Sequence, residues 1–269
     1  MATCYRHTDR ETGVSCSSCG RPICPDCMTT TPVGMRCPEC SRQRTQVRTA
    51  GSIGGGDPIL TYVLIGINVL MFLGSRSGGG AYQDLVLAGL PVADGEVWRL
   101  VTGGFLHAGF LHIAFNMYLL YILGGMLEPT LGKLRFGAIY FTSLLTGALG
   151  AILLTDPTRG TVGASGAVFG LMGAGLVILR ARGIDPMQSG LLPTILLNLA
   201  ISFLPGLNIS IGGHIGGLAG GLLTGWIVTQ AAKRRVSPLL PVAACVVIAL
   251  VAVGAAFAAA TAQVDALSA

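Results

Sequence analysis

The chain has 269 residues, of which 52% are hydrophobic and only 11% charged, with a mean hydropathy of +0.70. Soluble domains carry about 25% charge, so the composition excludes a soluble enzyme and points to a polytopic membrane protein with a polar appendage. The net charge of +5 does not imply a nucleic-acid partner, because most basic residues lie between apolar runs, where they set topology.

Seven of the eight cysteines precede residue 41. No apolar stretch opens the chain, so no cleavable secretory signal is expected. A reducing location favours metal ligation over disulfides. The ligands form four pairs with two-residue gaps: Cys4 and His7, Cys16 and Cys19, Cys24 and Cys27, Cys37 and Cys40. Eight such donors predict two closed tetrahedral Zn²⁺ sites in a module over residues 1–41. So short a segment needs a staple in place of a core. Closed sites leave no open coordination position, so the module is expected to bind a cytosolic protein partner or to regulate, and not to catalyse. The spacing resembles B-box zinc fingers. That resemblance implies interleaved sites, Cys4/His7 with Cys24/Cys27 and Cys16/Cys19 with Cys37/Cys40. It departs from many B-boxes in ending on two cysteines.

Residues 42–57, with Arg42, Arg44, Arg48 and the run Gly51 to Gly56, read as a basic, flexible linker suited to an anionic leaflet. Seven apolar runs follow, at about 58–73, 111–127, 136–154, 164–179, 191–204, 213–229 and 239–260. The fourth is short. From Ser165 to Leu179 it reaches about 22 Å, less than the roughly 30 Å hydrocarbon core. A helix that starts inside the membrane is tolerated only beside a cavity.

With seven spans, the basic residues divide sharply. Arg76, Arg99 and Arg159 fall on one side and the other fourteen of the 17 on the opposite side. The N-terminus is therefore expected in the cytosol and the C-terminus outside, in an inner (plasma) membrane. Only Lys133 and Lys233 are lysines, and there are 40 glycines, a usage associated with a GC-rich bacterial source.

This topology brings Ser165, at the outer end of the fourth span, to the depth of His214, at the outer end of the sixth. A serine and a histidine in reach of one another make a nucleophile and its general base. Gly217 and Gly221 share a face with His214, and Gly166, Gly170 and Gly173 thin the fourth span, so the two helices can approach closely. His112 and Asn116, four apart on one face of the second span, are donors suited to an oxyanion hole, with the Ser165 N–H as a third. No carboxylate accompanies the pair: Asp156 lies toward the loop and Glu128 at the far end of its span. A dyad is expected, its histidine oriented by something other than an acid.

From about residue 58 to 260 the chain resembles rhomboid intramembrane serine proteases. The matching pieces are Trp98-Arg99, His107-x4-His112-x3-Asn116, Gly124-Gly125-x2-Glu128, Gly163-Ala164-Ser165-Gly166 and His214-x2-Gly217-x3-Gly221. The resemblance implies an all-α, six-helix core over 58–232 and a seventh transmembrane helix with a short tail over 233–269. It implies Ser165 as nucleophile, His214 as base, and oxyanion support from His112 and Asn116. His107 would hold their loop, and Trp98-Arg99 would anchor the first loop. Some relatives carry a tyrosine four residues past the serine; Phe169 stands there, so ring stacking is kept and a hydroxyl lost. The expected substrates are membrane-anchored proteins cleaved near the outer face, with no cofactor for catalysis. The alternative is an inactive rhomboid-like factor that binds membrane proteins and carries a zinc interaction head. Retention of both Ser165 and His214 argues for the protease. A channel or transporter is disfavoured by the lack of charge inside the spans.

Overall fold

The computed structural model describes residues 2–31, 34–42, 56–75, 79–204 and 209–268. The chain divides into two compact units, Met1–Thr49 and Ala50–Ala269. Most of the expected linker, including Arg44, Arg48 and Gly51 to Gly55, lies outside the described residues, as does Arg76.

The first unit is not helical throughout. Strand β1 (Ala2–Thr3) pairs antiparallel with β2 (Glu11–Thr12), and β3 (Thr29–Thr31) with β4 (Gly34–Arg36). One helix, α1 (Pro38–Arg42), follows. The all-α fold does not extend to this unit: Cys4 and His7 lie in the β1–β2 loop, and the β3–β4 hairpin leads from Cys27 to Cys37. The buried cluster consists of Ile23 and six of the cysteines, with Tyr5 and Met28 packed against it. Glu39 accepts from the Tyr5 hydroxyl and, at 2.6 Å, from Arg6 Nη2, tying the two ends of the unit together.

The second unit is helical. Seven apolar helices stand at the seven expected positions: α2 (Ile59–Gly74), α6 (Phe110–Leu131), α7 (Lys133–Leu154), α8 (Ser165–Ala181), α9 (Leu191–Ser202), α10 (Ile211–Lys233) and α11 (Leu240–Ser268). Among the described residues, α6, α7, α10 and α11 are long and apolar enough to cross a membrane. The other three run 16, 17 and 12 residues. Three short helices, α3 (Gly80–Gln83), α4 (Gly89–Ala93) and α5 (Arg99–Thr102), fold the segment between α2 and α6.

Burial is concentrated in α8, where every residue from Gly166 to Gly175 is buried. The main core gathers Leu120, Phe136, Ile139, Tyr140, Leu171 and Met172 from α6, α7 and α8. A second core packs Ala256 and Ala260 of α11 against Ala148, Ala151 and Ile152 of α7 and against Leu87, Val92 and Leu100 of the α2–α6 segment. Arg99 holds that segment together: buried, it donates to the Gln83 and Val86 carbonyls at 2.5 and 3.0 Å and pairs with Glu96. Trp98 is exposed.

Candidate active site

Ser165 is positioned by the strand-like run before it. Leu87 and Thr161 exchange both backbone hydrogen bonds, at 3.3 and 2.7 Å, and Gly163 N donates to Gly103 O at 3.0 Å. The serine loop is thus sewn to the α2–α6 segment. Gly163 has φ +125°, and a Cβ there would sit 2.8 Å from two atoms of the His112 ring. Only glycine meets both conditions. Ala164, not Ser165, is the N-cap of α8, and no side chain caps this end. The hydroxyl that would be spent on capping is therefore not so used. Ser165 is half-buried at the first position of the helix, at the positive end of its dipole.

Glycine contacts bring the helix that carries His214 against α8. A Cβ on Gly217 would lie 2.0 Å from Gly166 O, and one on Gly221 would lie 1.9 Å from Gly170 O. At these two points the backbones of α8 and α10 touch, which any side chain would prevent. The contact sets His214, one turn before Gly217, beside the first turn of α8. Phe169 stacks on its ring with centroids 4.2 Å apart and planes at 23°. Ser210 caps α10, accepting from Gly213 N at 3.1 Å. Among the described residues no hydrogen bond joins Ser165 Oγ to His214. Such bonds often tighten only when substrate is bound. The Nδ1 atom of His214 is engaged by Ser202 Oγ of α9, at 2.7 Å, a contact that the sequence analysis did not foresee.

His112 lies on the other side of Gly163. Its Nδ1 accepts from Ala108 N at 3.4 Å, and His107 packs edge-on against it with centroids 5.0 Å apart. Asn116 uses one amide N–H on the His112 carbonyl at 2.9 Å; a primary amide has a second to offer. A small cavity of about 30 Å³ opens beside Ser165, lined by Gly103, Gly104, Gly163, Gly166, Ser210 and Gly213 among others. Asp156 is occupied in its loop, accepting from Thr158 N and Oγ1. Glu128 is also far from this end. It is buried in α6 and accepts from Leu60 N, Thr61 N and Thr61 Oγ1 at 2.9, 2.7 and 2.7 Å, capping the start of α2.

In the first unit the donors form two tetrads, Cys4/His7/Cys24/Cys27 and Cys16/Cys19/Cys37/Cys40, each with its atoms within 4.8 Å of one another. The interleaved pairing matches the expectation. The donor spacing fits a tetrahedral ion. Zinc–sulfur bonds of 2.3 Å put sulfurs about 3.8 Å apart, and Cys19 Sγ and Cys37 Sγ are separated by 3.8 Å. His7 Nδ1 stands 3.3, 3.5 and 4.0 Å from Cys24, Cys27 and Cys4. Backbone N–H groups of Cys37 and Cys40 donate to Cys16 Sγ and Cys37 Sγ at 3.3 and 3.4 Å, an outer layer that steadies ligands. The arrangement is consistent with a zinc-binding module.

A serine at a helix start, a histidine on a glycine-faced neighbouring helix and a histidine–asparagine pair on a third thus lie within one body of apolar helices. The chain belongs to the rhomboid family: the Rhomboid domain model matches residues 94–231. It is 34% identical over 190 residues to the rhomboid protease GluP of Bacillus subtilis, covering 67% of this chain and 37% of GluP. It is 35% identical over 183 residues to Bacillus subtilis YdcA, covering 66% of this chain and 92% of YdcA. RHOMBOID-like protein 5 of Arabidopsis thaliana is 41% identical over 144 residues, 51% of this chain and 46% of that protein. The chain is a multi-pass membrane protein and a rhomboid-protease homologue that spans little more than a third of GluP.

Proposed function

We propose that this protein is an intramembrane serine endopeptidase that cleaves membrane-anchored proteins with a Ser165–His214 dyad. The supporting observation is the seating of His214 against α8: stacked on Phe169, four residues past Ser165, and drawn in by the Gly217–Gly166 contact. His214 Nε2 takes the Ser165 proton as Oγ bonds to the scissile carbonyl carbon. The tetrahedral intermediate collapses, the C–N bond breaks, and the amine leaves with that proton. Water, giving a proton to His214, then bonds to the acyl carbon, the C–Oγ bond breaks, and His214 returns the proton to Ser165 Oγ. His112, the second N–H of Asn116 and the Ser165 backbone N–H bear the developing oxyanion, and His107 braces His112. Every proton in this cycle is carried by protein groups and water.

The reading extends to the whole chain: a two-zinc module over 1–41, a linker over 42–57, a six-helix core over 58–232 and a seventh helix beyond. The module holds two structural Zn²⁺ and faces the cytosol, where it is suited to a protein partner. α8, at about 26 Å for 17 residues, starts below the outer surface if Arg180 and Arg182 mark the inner one.

Labelling with a fluorophosphonate probe tests the chemistry. Folded wild-type protein should be labelled, and Ser165→Ala and His214→Ala should not. Equal labelling of Ser165→Ala, or none of the wild type, rejects the dyad. For orientation, an impermeant thiol reagent outside the cell should reach a cysteine placed at 159 and not one at 182; the opposite pattern puts the site on the cytosolic side.

A further inference from the structure

The dyad has no acid to orient its base, and the structure offers another group in that place. Ser202, the last residue of α9, is buried, and its Oγ stands 2.7 Å from His214 Nδ1 and 2.8 Å from the carbonyl oxygen of Asn198. A serine hydroxyl has one proton to give. The Asn198 oxygen can only accept, so the Ser202 proton is directed there, in the i−4 pattern usual for serine in helices. The same Oγ can then meet Nδ1 favourably only as an acceptor. Were the proton turned to Nδ1 instead, two bare oxygens would face each other at 2.8 Å within a buried site.

We propose that Ser202 is the positioning residue of the dyad: it accepts from Nδ1–H of His214, fixes that tautomer, and leaves the Nε2 lone pair free for Ser165. This assignment rests on the protease reading for its consequence, but not for its geometry. It is the task a buried carboxylate performs in serine triads, where the wrong tautomer costs about 10⁴ in kcat. Two features of the site make a neutral acceptor sufficient. Phe169 already fixes the ring plane from one face, so the acceptor must fix only rotation within that plane. The chain Nδ1–H to Ser202 to Asn198 also polarises along its length, so the hydroxyl is a better acceptor than an isolated one. Ser202 neither gains nor loses its proton during turnover. It holds the ring while Nε2 gains a proton from Ser165 and returns it to the leaving amine.

The tautomer is measured directly on the wild-type protein, by nitrogen NMR of histidine-labelled full-length chain, with His214 assigned by its absence in His214→Asn. At a pH where the ring is neutral, Nδ1 should be protonated and Nε2 bare; the reverse overturns the proposal. Kinetics on a membrane-anchored substrate supply the functional arm. Ser202→Ala should lower kcat about 10- to 100-fold with KM unchanged, less than loss of a triad acid does, and Ser202→Thr, which keeps the hydroxyl, should restore most of it. In a His214→Ala background the Ser202→Ala change should have no further effect. An unchanged kcat in Ser202→Ala, or an equal loss in Ser202→Thr and Ser202→Ala with both folded, sinks the positioning role. Wild type that folds but is neither labelled by fluorophosphonate nor active sinks the protease reading instead, and the tautomer measurement still decides the hydrogen-bond assignment.

Discussion

At the scale of single residues, Gly163 is under more constraint than Ser165. Its φ of +125° is outside the range of side chains, and a Cβ would meet the His112 ring at 2.8 Å. Gly163→Ala therefore adds backbone strain of about 1–3 kcal/mol and pushes His112 away from the proposed oxyanion site. The strain falls on the loop sewn by Thr161 and Gly163, and the displacement is confined to the first turn of α6. The expected outcome is a protein that folds and inserts but has lost fluorophosphonate labelling by at least tenfold. Labelling at the wild-type rate would show that this loop does not set the oxyanion geometry. Phe169 is the contrasting case. Stacking on His214 needs a flat ring and no hydroxyl, so an apolar neighbour holds the ring of the proposed base.

Among the elements, α2 and α6 are joined by a polar contact that apolar helices cannot easily supply. The first N–H groups of any helix lack intrahelical partners, and α2 has no side-chain cap of its own. Glu128 supplies one from across the bundle, taking Leu60 N, Thr61 N and Thr61 Oγ1. Gly124, one turn earlier, makes room: a Cβ there would lie 2.2 Å from Thr61 Oγ1. Removing the carboxylate leaves two backbone donors unpaired, Thr61 N–H buried and Leu60 N–H part-buried. Glu128→Ala should cost about 2–4 kcal/mol, read as a lowered midpoint of unfolding in bicelles, and Glu128→Gln should recover part of it. No shift in either variant would mean that these donors find water. The sequence showed that Glu128 belonged to a motif and lay far from the serine, but not what it bonds, because a cap supplied from another helix has no local signature. Ser165 and His214 stood out as candidates for the opposite reason: polar groups are scarce in the apolar runs, so two near the same ends of neighbouring spans are conspicuous. Ser202 was not, since serine in an apolar helix is commonplace and its pairing with His214 depends on how α9 ends. The apolar runs predicted each helix to within a few residues in most cases, α11 running on to Ser268 because Thr261 and Gln263 continue to bond along and across it. The hairpins of the first unit escaped notice because strands of two or three residues cannot display a period-two pattern.

For the whole molecule, the two units differ in what holds them. The helical body has extensive apolar cores. The first unit has Ile23 as its one fully enclosed aliphatic side chain among the described residues, and its remaining interior is thiol. A segment of that size cannot offset its chain entropy by apolar burial alone. Metal held by the two tetrads would supply most of its folding free energy, as in small domains whose binding and folding are one event. Without the ion, thiols with little else around them have nothing to organise the hairpins, and the outer ties from Glu39 to Tyr5 and Arg6 are surface interactions worth little. Two Zn²⁺ per chain are expected by elemental analysis, one per tetrad; a content near one or zero would reject the paired sites. Chelation should open residues 2–42 to limited proteolysis while the helical body stays resistant. Fluorophosphonate labelling should also survive, because the proposed dyad draws its nucleophile and base from α8 and α10, which have their own cores. Loss of labelling in step with loss of zinc would instead join the two units functionally and make the module a regulator of cleavage.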